Sequence, residues 1–347
     1  MLDDIMYSMD IKNLGIILEP TGNAFENHAV LNPGCILVDN VTHLYYRAVR
    51  EGNFSTIGYC RLEEGNITMR LDRPLLMPEY PYEAHGLEDP RVIFLDGLYY
   101  LFYTAYDGKN VHVAYATGHD PMHFQKQGVI SSSISYAEAL ALLPESPEFN
   151  PYRWYGEHYQ ETINPRVQLW EKDTFIFPKK INGKFLLLIR VMPGMQIVWV
   201  DALSDLTPQW WRSFLSNMDT HVLLHPALWF ETRKIGPGCP PIETPDGWVL
   251  IYHAVETTPQ GNVYRAAAAL LDLKNPAKVI ARLPNPLFSP VEMWEKTGDA
   301  PNVVFPTGAT VQQDVITVYY GAGDSHIAAK TLKLSDLVAE LKLHTIA

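Results

Sequence analysis

The sequence predicts an all-β protein, a five-bladed β-propeller occupying residues 1–347 as a single domain. Three observations lead there. A short aromatic and β-branched run recurs five times, each copy is followed by a second strand-like segment, and helical periodicity is sparse. A strand pair repeated at intervals of about 55 to 85 residues is the pattern of a propeller whose blades hold about four strands each. At roughly 70 residues per blade, long loops must separate some strands; a β-sandwich would show shorter, more even spacing.

The runs are HLYYRA from His43, GLYYLFYTA from Gly97, GKFLLLIR from Gly183, GWVLIYHA from Gly247 and DVITVYYGA from Asp314. Their followers are IGYCRLE from Ile57, VHVAYATG from Val111, MQIVWVDALSDL from Met195, VYRAAAALLDL from Val263 and IAAKTLKLSDL from Ile327. Loops with Asp-Gly, Asn-Gly or polar residues punctuate them, as hairpins require. Ser133–Leu143 reads as a short helix and Leu334–Leu343 as a helix capping the C-terminus. Pro144–Gln168, rich in Pro, Tyr, Trp and Glu, reads as a long loop between the second and third blades. Loops of that length in a compact domain are usually functional.

A hydrophobic fraction of 47% excludes a disordered chain, and no apolar stretch approaches the roughly 20 residues of a membrane span. With 27 Lys and Arg against 39 acids, clustered cations for phosphate neutralisation are missing, which argues against a nucleic-acid binder. Cys35, Cys60 and Cys239 lie far apart, offering neither a disulfide framework nor a zinc site, so a reducing compartment is expected. The stretch MLDDIMYSMDIKNLG lacks a basic region followed by an apolar run, so no signal peptide is expected and the reading is cytoplasmic. The aromatic content of 12% suits a β core and also a site that stacks sugar faces.

Blade strands converge on a central channel, so polar residues at inner strand ends should share one pocket. The candidates are Arg47, Asp89 with Arg91, Asp107, Lys172 with Asp173, Arg190, Lys234, His253, Tyr264 and Asp324. Several cations on inner segments of an acidic chain point to an anionic ligand or nucleophile. The sharpest local feature is GLEDPRV from Gly86. Pro90 pushes Asp89 toward an extended conformation at a strand entrance. Glu88 and Asp89 then point opposite ways, one facing the channel and one pairing with a cation; a strand cap with an Asp–Arg ion pair is equally open. KIGPGCPPI from Lys234 is a rigid turn that places Lys234 beside the channel, or an ordinary blade turn; it lacks the spacing of a phosphate-binding P-loop. His85, His225 and His253 lack metal-ligand spacing. Trp154, Tyr155, Trp170, Trp210 and Trp211 suit either a sugar-stacking shelf or core packing. No Gly-x-Ser-x-Gly elbow occurs.

Several stretches together resemble glycoside hydrolase family 130, the β-mannoside phosphorylases and related β-mannosidases. They are LNPGCILVDN from Leu31, YYRA from Tyr45, GLEDPRVIFLDGLYYLFYTAYDG from Gly86 and KDTFIFPKKINGKF from Lys172. They continue with KIGPGCPPIETPDGWVLIYHAVE from Lys234, VYRAAAALLDLKNPAKVIAR from Val263 and PNVVFPTGATVQQDVITVYYGAGD from Pro301. The resemblance runs in order over nearly the whole chain.

It implies a five-bladed propeller and inverting phosphorolysis of short β-1,2- or β-1,4-mannooligosaccharides to α-mannose 1-phosphate and a shortened sugar. Asp89 would be the general acid, its proton reaching the glycosidic oxygen through the sugar's own 3-hydroxyl. Phosphate, already an anion, needs no second carboxylate, only cations and donors that fix its oxygens in line. Lys234, Tyr264 and His253 map to phosphate contacts, with Ala254 replacing the usual Gly, and Arg47 and Lys172 join them. Arg91, Asp107, Asp173, Arg190 and Asp324 would bind substrate. Where the family commonly has Arg-Asn or Arg-Asp, this chain has Lys172-Asp173, a point charge in place of a bidentate fork.

The resemblance implies no metal or organic cofactor, with inorganic phosphate as co-substrate. No nucleic-acid or membrane partner is expected; propeller phosphorylases of this kind often assemble, which leaves a homo-oligomer open. An inverting mannosidase is the alternative. It needs a carboxylate base roughly 6.5–9.5 Å from the acid, for which Glu243, Glu256 and Asp324 are the candidates. A non-catalytic sugar-binding propeller is a more distant alternative. The linkage and the acceptor sugar stay open.

Overall fold

Strands follow one another as antiparallel meanders in the computed structural model, which describes residues 9–346. β1 (Lys12–Leu18) leads to β2 (Ala29–Val38), β3 (Val41–Arg50), β4 (Phe54–Glu63) and β5 (Asn66–Arg70). Then come β6 (Gly86–Leu95), β7 (Leu98–Tyr106), β8 (Val111–Asp120) and β9 (His123–Val129). Helices α1 (Tyr136–Leu142) and α2 (Asn150–Thr162) precede β10 (Glu171–Ile176), β11 (Phe185–Val191) and β12 (Met195–Val200). These are followed by α3 (Pro208–Ser216) and β13 (Val222–Leu224). The chain continues with β14 (Lys234–Pro237), β15 (Ile242–Thr244), β16 (Gly247–Thr258), β17 (Gly261–Leu271), β18 (Val279–Arg282) and α4 (Met293–Lys296). The last elements are β19 (Val304–Gln312), β20 (Val315–Ala322), β21 (His326–Lys333) and α5 (Leu334–Leu343).

Hydrogen bonds gather the strands into four sheets, β2–β9, β10–β13, β14–β18 and β19–β21 with β1. The eight-stranded sheet is two meanders, β2–β5 and β6–β9, joined through one parallel pair, Ser55 with Gly86. Five meanders result, and the expectation of an all-β fold holds. β1 runs antiparallel to β21, Lys12 opposite Thr331, so the first strand completes the last sheet.

Each recurring aromatic run is the second strand of its meander (β3, β7, β11, β16, β20) and each follower is the third. These strands are buried on both faces because sheets pack against sheets, which is why they read as near-continuous apolar runs. One apolar core joins the first meander to the second, with Tyr59 against Leu101 and Tyr103 among its members. Another spans the second, third and fourth, a third joins fourth to fifth, and Tyr319 with Tyr46 belongs to a core between fifth and first.

Four meanders share an internal lock. A fully buried glutamate accepts a hydrogen bond from a tyrosine hydroxyl of the second strand and pairs with a cation. The trios are Glu26–Tyr46–Arg70 at 2.7 and 2.9 Å, Glu83–Tyr103–Lys126 at 2.7 and 2.7 Å, Glu231–Tyr252–Arg282 at 2.9 and 2.5 Å, and Glu295–Tyr320–Lys330 at 2.6 and 2.7 Å. The second oxygen of Glu83, Glu231 and Glu295 accepts two backbone N–H groups three and four residues upstream. The buried charge is thereby both paired and hydrogen-bonded. In the third meander the tyrosine's place, one residue before the inward-facing position, is held by Ile189.

Both expected helices are present. Ser135 caps α1 by accepting from Glu138 N, and α5 spans the expected residues. Pro144–Gln168, expected as a loop, instead contains α2. Pro151 sits in its first turn, where a missing N–H costs nothing, and Tyr152, Tyr155 and Gly156 form the buried face. Gly156 lets α2 approach α1 closely, since a Cβ there would push on the Leu140 side chain. α3 was not expected; Thr207 caps it through Trp210 N, and Pro208 opens it. Trp211 is a core residue that donates Nε1 to the Ile130 carbonyl at 2.9 Å, and Trp210 stacks on Phe214, so neither belongs to a sugar shelf.

The three cysteines are free and buried. No helix among the described residues is long and apolar enough to cross a membrane. The first eight residues of the stretch read for a signal peptide lie outside the described residues.

Candidate active site

The first strands of four meanders carry an irregularity in pairing, at Leu31/Gly34, Glu88/Arg91, Lys172/Phe175 and Pro306/Gly308. Three of these bulges set Asn32, Asp89 and Asp173 in the left-handed region, with φ of 49°, 50° and 56°. Pro90 led to the expectation of an extended Asp89; the bulge overrides it. Asn and Asp tolerate this conformation best, at a cost of order 1–3 kcal/mol each. The return is that three side chains are re-aimed at one point, a common use of bulges beside active sites. The strands approach closely enough that a Cβ on Gly34 would meet Pro90 O, one on Gly308 Pro33 O, and one on Gly238 Pro306 O.

The re-aimed side chains line a cavity of about 210 Å³ together with Arg47, Arg190, Lys172, Lys234, Tyr264, Phe305 and Asp324. Of the expected site residues, Asp89, Arg47, Lys172, Asp173, Arg190, Lys234, Tyr264 and Asp324 are all brought together here. Three are not in its wall. His253 is fully buried behind it. Arg91, expected to bind substrate, is 1% exposed and donates to Gly238 O at 2.5 Å and Asp89 O at 2.9 Å, bracing the inner strands. Asp107, likewise expected at the substrate, caps the β7–β8 turn by accepting from Lys109 N and Asn110 N at 2.8 and 2.6 Å.

One half of the cavity is built on carboxylates. Asp89 Oδ1 accepts from Asn32 Nδ2 at 2.8 Å and lies 3.9 Å from Arg47. Glu88 pairs with Arg47 at 3.0 Å and Lys172 at 3.1 Å, so Arg47 serves both carboxylates. One carboxylate lines the cavity and the other pairs with cations, as expected of the pair, but the bulge rather than an extended strand produces the arrangement. Burial raises the Glu88 carboxyl, but Arg47 and Lys172 outweigh it and hold Glu88 below the usual range. Asp324, in the β20–β21 turn, is pushed up to about 6 by burial, with Arg47 opposing and Asp89 and Asp299 adding to the shift.

The other half is cationic. Lys234 and Tyr264 both pair with Val255, so they share one face of the sheet, and Lys234 Nζ lies 5.8 Å from the Tyr264 ring centroid. Lys234 has no carboxylate within ion-pairing distance among the described residues. Burial, then Arg190, lower its pKa well below that of an ordinary lysine, against a pull from Asp173. Arg190 Nη1 sits 2.7 Å from Asp173 Oδ2 and 3.3 Å from His253 Nε2. Burial drives His253 well below its usual pKa, only partly countered by Asp173, so its neutral Nε2 accepts from the guanidinium. His253 therefore positions Arg190.

Asn32 and Phe305 line the cavity although sequence reasoning singled out neither. Asn-Pro-Gly was a turn signal for Asn32, and its amide fits because Gly321 has no Cβ to meet it. Phe305 packs on His253 at 4.4 Å between ring centroids and had no signal. Of the alternative bases, Glu243 pairs with Lys179 at 2.8 Å and Glu256 with Arg265 at 2.6 Å, and neither lines the cavity. Among the described residues no cluster of three or more His, Cys, Asp or Glu is placed to hold a metal.

The family model for glycoside hydrolase family 130, described as beta-1,4-mannooligosaccharide phosphorylase, matches residues 11–343. The chain belongs to glycoside hydrolase family 130. A 1,2-beta-oligomannan phosphorylase of Thermoanaerobacter sp. is 34% identical to this family 130 chain, over 93% of this chain and 96% of its own length. A beta-1,2-mannobiose phosphorylase of the same organism is 33% identical over the same shares. Among solved structures, the beta-1,2-mannobiose phosphorylase of Listeria innocua in complex with beta-1,2-mannobiose has a TM-score of 0.72 at 22% identity. That match covers 97% of this chain and 100% of the other, a likeness of fold.

Proposed function

We propose that this chain is an inverting β-mannoside phosphorylase, folded as a five-bladed propeller, that releases α-mannose 1-phosphate from β-1,2-linked mannooligosaccharides. The observation that carries the reading is that Lys234, an amine with no carboxylate partner among the described residues, shares one small cavity with Asp89, Arg190 and Tyr264. A phosphate dianion supplies the missing partner and would hold the amine protonated. The propeller reading rests on the circuit of cores from the first meander to the fifth and back. The choice of β-1,2 linkage rests on the activities of the two Thermoanaerobacter relatives.

In this mechanism the mannosyl ring lies between the two halves. Lys234, Tyr264 and Arg190 hold the phosphate oxygens with one aimed at the anomeric carbon. As that C–O bond forms, the glycosidic C–O bond breaks on the opposite face. The leaving oxygen takes the proton of the sugar 3-hydroxyl, which is replaced by the proton of the Asp89 carboxyl. Asn32 and Arg47 fix the Asp89 side chain. Asp89 regains its proton from solvent after product release. Hydrolysis would need a base on the far side of the ring, whereas Asp324 sits beside Arg47 with Asp89. Phosphorolysis conserves the bond energy only where the sugar phosphate is retained, which fits a cytoplasmic enzyme.

Cleavage of β-1,2- and β-1,4-mannobiose with and without inorganic phosphate tests the proposal. We expect α-mannose 1-phosphate only with phosphate, faster from the β-1,2 substrate, and a loss of about 10²–10⁴-fold in kcat for Asp89→Asn. Free mannose released equally fast without phosphate would overturn it.

A further inference from the structure

We propose that Glu171 is a positioning residue that works as an uncharged staple, tying the strand of Lys172 and Asp173 to the segment ahead of α1 and letting go when it ionises. Its bearing on catalysis rests on the phosphorylase reading; its bearing on stability does not. Glu171 opens β10 and is fully buried. Glu26, Glu83, Glu231 and Glu295 are buried as deeply, and each meets a tyrosine hydroxyl and a cation. Glu171 meets neither. Its one partner among the described residues is Ser132, whose N–H lies 3.1 and 3.3 Å from the two carboxyl oxygens.

The elements packed against β10 offer no counter-ion. On its own strand Lys172 pairs with Glu88 of β6, and Asp173 with Arg190 of β11 and Arg91 of β6. His112 of β8 lies 3.8 Å from Asp107, β7 carries no charged residue, and Lys234 of β14 lines the cavity. Tyr136 of α1 uses its hydroxyl to accept from Trp170 N at 3.2 Å. A carboxylate with neither water nor a cation is the costly form, so the acid keeps its proton. Burial pushes it up to about 8, against the hydrogen bonds from Ser132.

The contact closes a short ladder. Tyr136 N bonds to Val167 O at 3.0 Å and Leu169 N to Ile134 O at 2.7 Å, and Glu171 with Ser132 is the last rung. It stands one residue before Lys172, where the β10 bulge begins. The rung thus fixes where the bulge starts and where Lys172 and Asp173 point.

The test compares the native protein with Glu171→Gln, which copies the neutral acid, and Glu171→Ala. A raised carboxyl stabilises the fold fully below its ordinary value of 4.5, and that contribution is lost as pH rises through about 8. The Tm of Glu171→Gln minus that of the native protein should therefore grow by roughly 1–3 °C per pH unit across this window and then level off. A difference that is flat with pH overturns the proposal. At about pH 6.5, below the folded value, Glu171→Ala should lose about 10–100-fold in kcat/KM for phosphate, and Glu171→Gln should restore most of it. A Gln variant as impaired as Ala overturns the positioning role. If Glu171→Gln does not fold, infrared titration of the native protein and of Asp89→Asn decides: a protonated carboxyl band that persists at neutral pH and disappears near about pH 8 supports the staple, and its absence at neutral pH sinks it. Should the native protein form no sugar phosphate, the phosphorylase reading fails by itself and the melting difference still decides the staple.

Discussion

The third meander and its four neighbours solve the same packing problem by different means. The first, second, fourth and fifth each bury a glutamate, a tyrosine hydroxyl and a cation that satisfy one another. The third has Ile189 at the tyrosine's place and packs β10–β13 and the helices around it through apolar contacts, with Trp211, Phe214 and Leu215 in that core. Polar locks are directional and tie a meander to one arrangement, whereas an apolar core accepts added elements. The third meander is where α1, α2 and α3 are inserted, and it supplies Lys172, Asp173 and Arg190 to the cavity. The contrast is that the meander without the polar lock is the one that carries the inserted helices and three of the cavity's charged side chains.

The sharpest way to break this contrast is Glu231→Ala, which strands Arg282 and the Tyr252 hydroxyl in the interior. A loss of about 3–5 kcal/mol in urea unfolding is expected; a loss under 1 kcal/mol would mean that the trio is not a lock. Next comes Tyr320→Phe, which removes one donor from Glu295 and should cost about 1–3 kcal/mol. Ile189→Val in the third meander, an apolar trim, should cost less than either Tyr320→Phe or Glu231→Ala. The smallest effect is on pH dependence. Burial raises the Glu295 carboxyl, yet Lys330 and Tyr320 bring it below its ordinary value of 4.5. A depressed carboxylate stabilises the fold above its unfolded pKa, and that contribution fades as pH falls through the folded value. The Tm should therefore drop below about pH 4, and the drop should be shallower in Glu295→Gln.

The strand pairs were legible because aromatic and β-branched residues cluster where both faces of a strand are buried. The same signal failed at α2, where aromatic side chains, Pro151 and Gly156 disguise a helix whose buried face is made of tyrosines. α3 did carry a start signal in Thr207-Pro208, but its two tryptophans suit either core packing or a stacking shelf and do not mark a helix. At the site, placement at inner strand ends together with the family resemblance picked out Asp89, Lys234, Arg47 and Tyr264. It did not reveal that Arg91 turns inward to Gly238 or that Asp107 caps a turn, because strand-end positions do not say which way a bulged backbone faces. Asn32 was hidden for the same reason: its role depends on a left-handed residue and on Gly321, which lies far along the chain.

The pairing of β1 with β21 has a consequence for assembly. Strands from opposite ends of the described chain must find each other before the fifth sheet is complete, a contact of very long sequence separation that forms slowly. The clasp of first strand on last thus makes the integrity of the fifth sheet depend on a pairing between the two ends of the described chain.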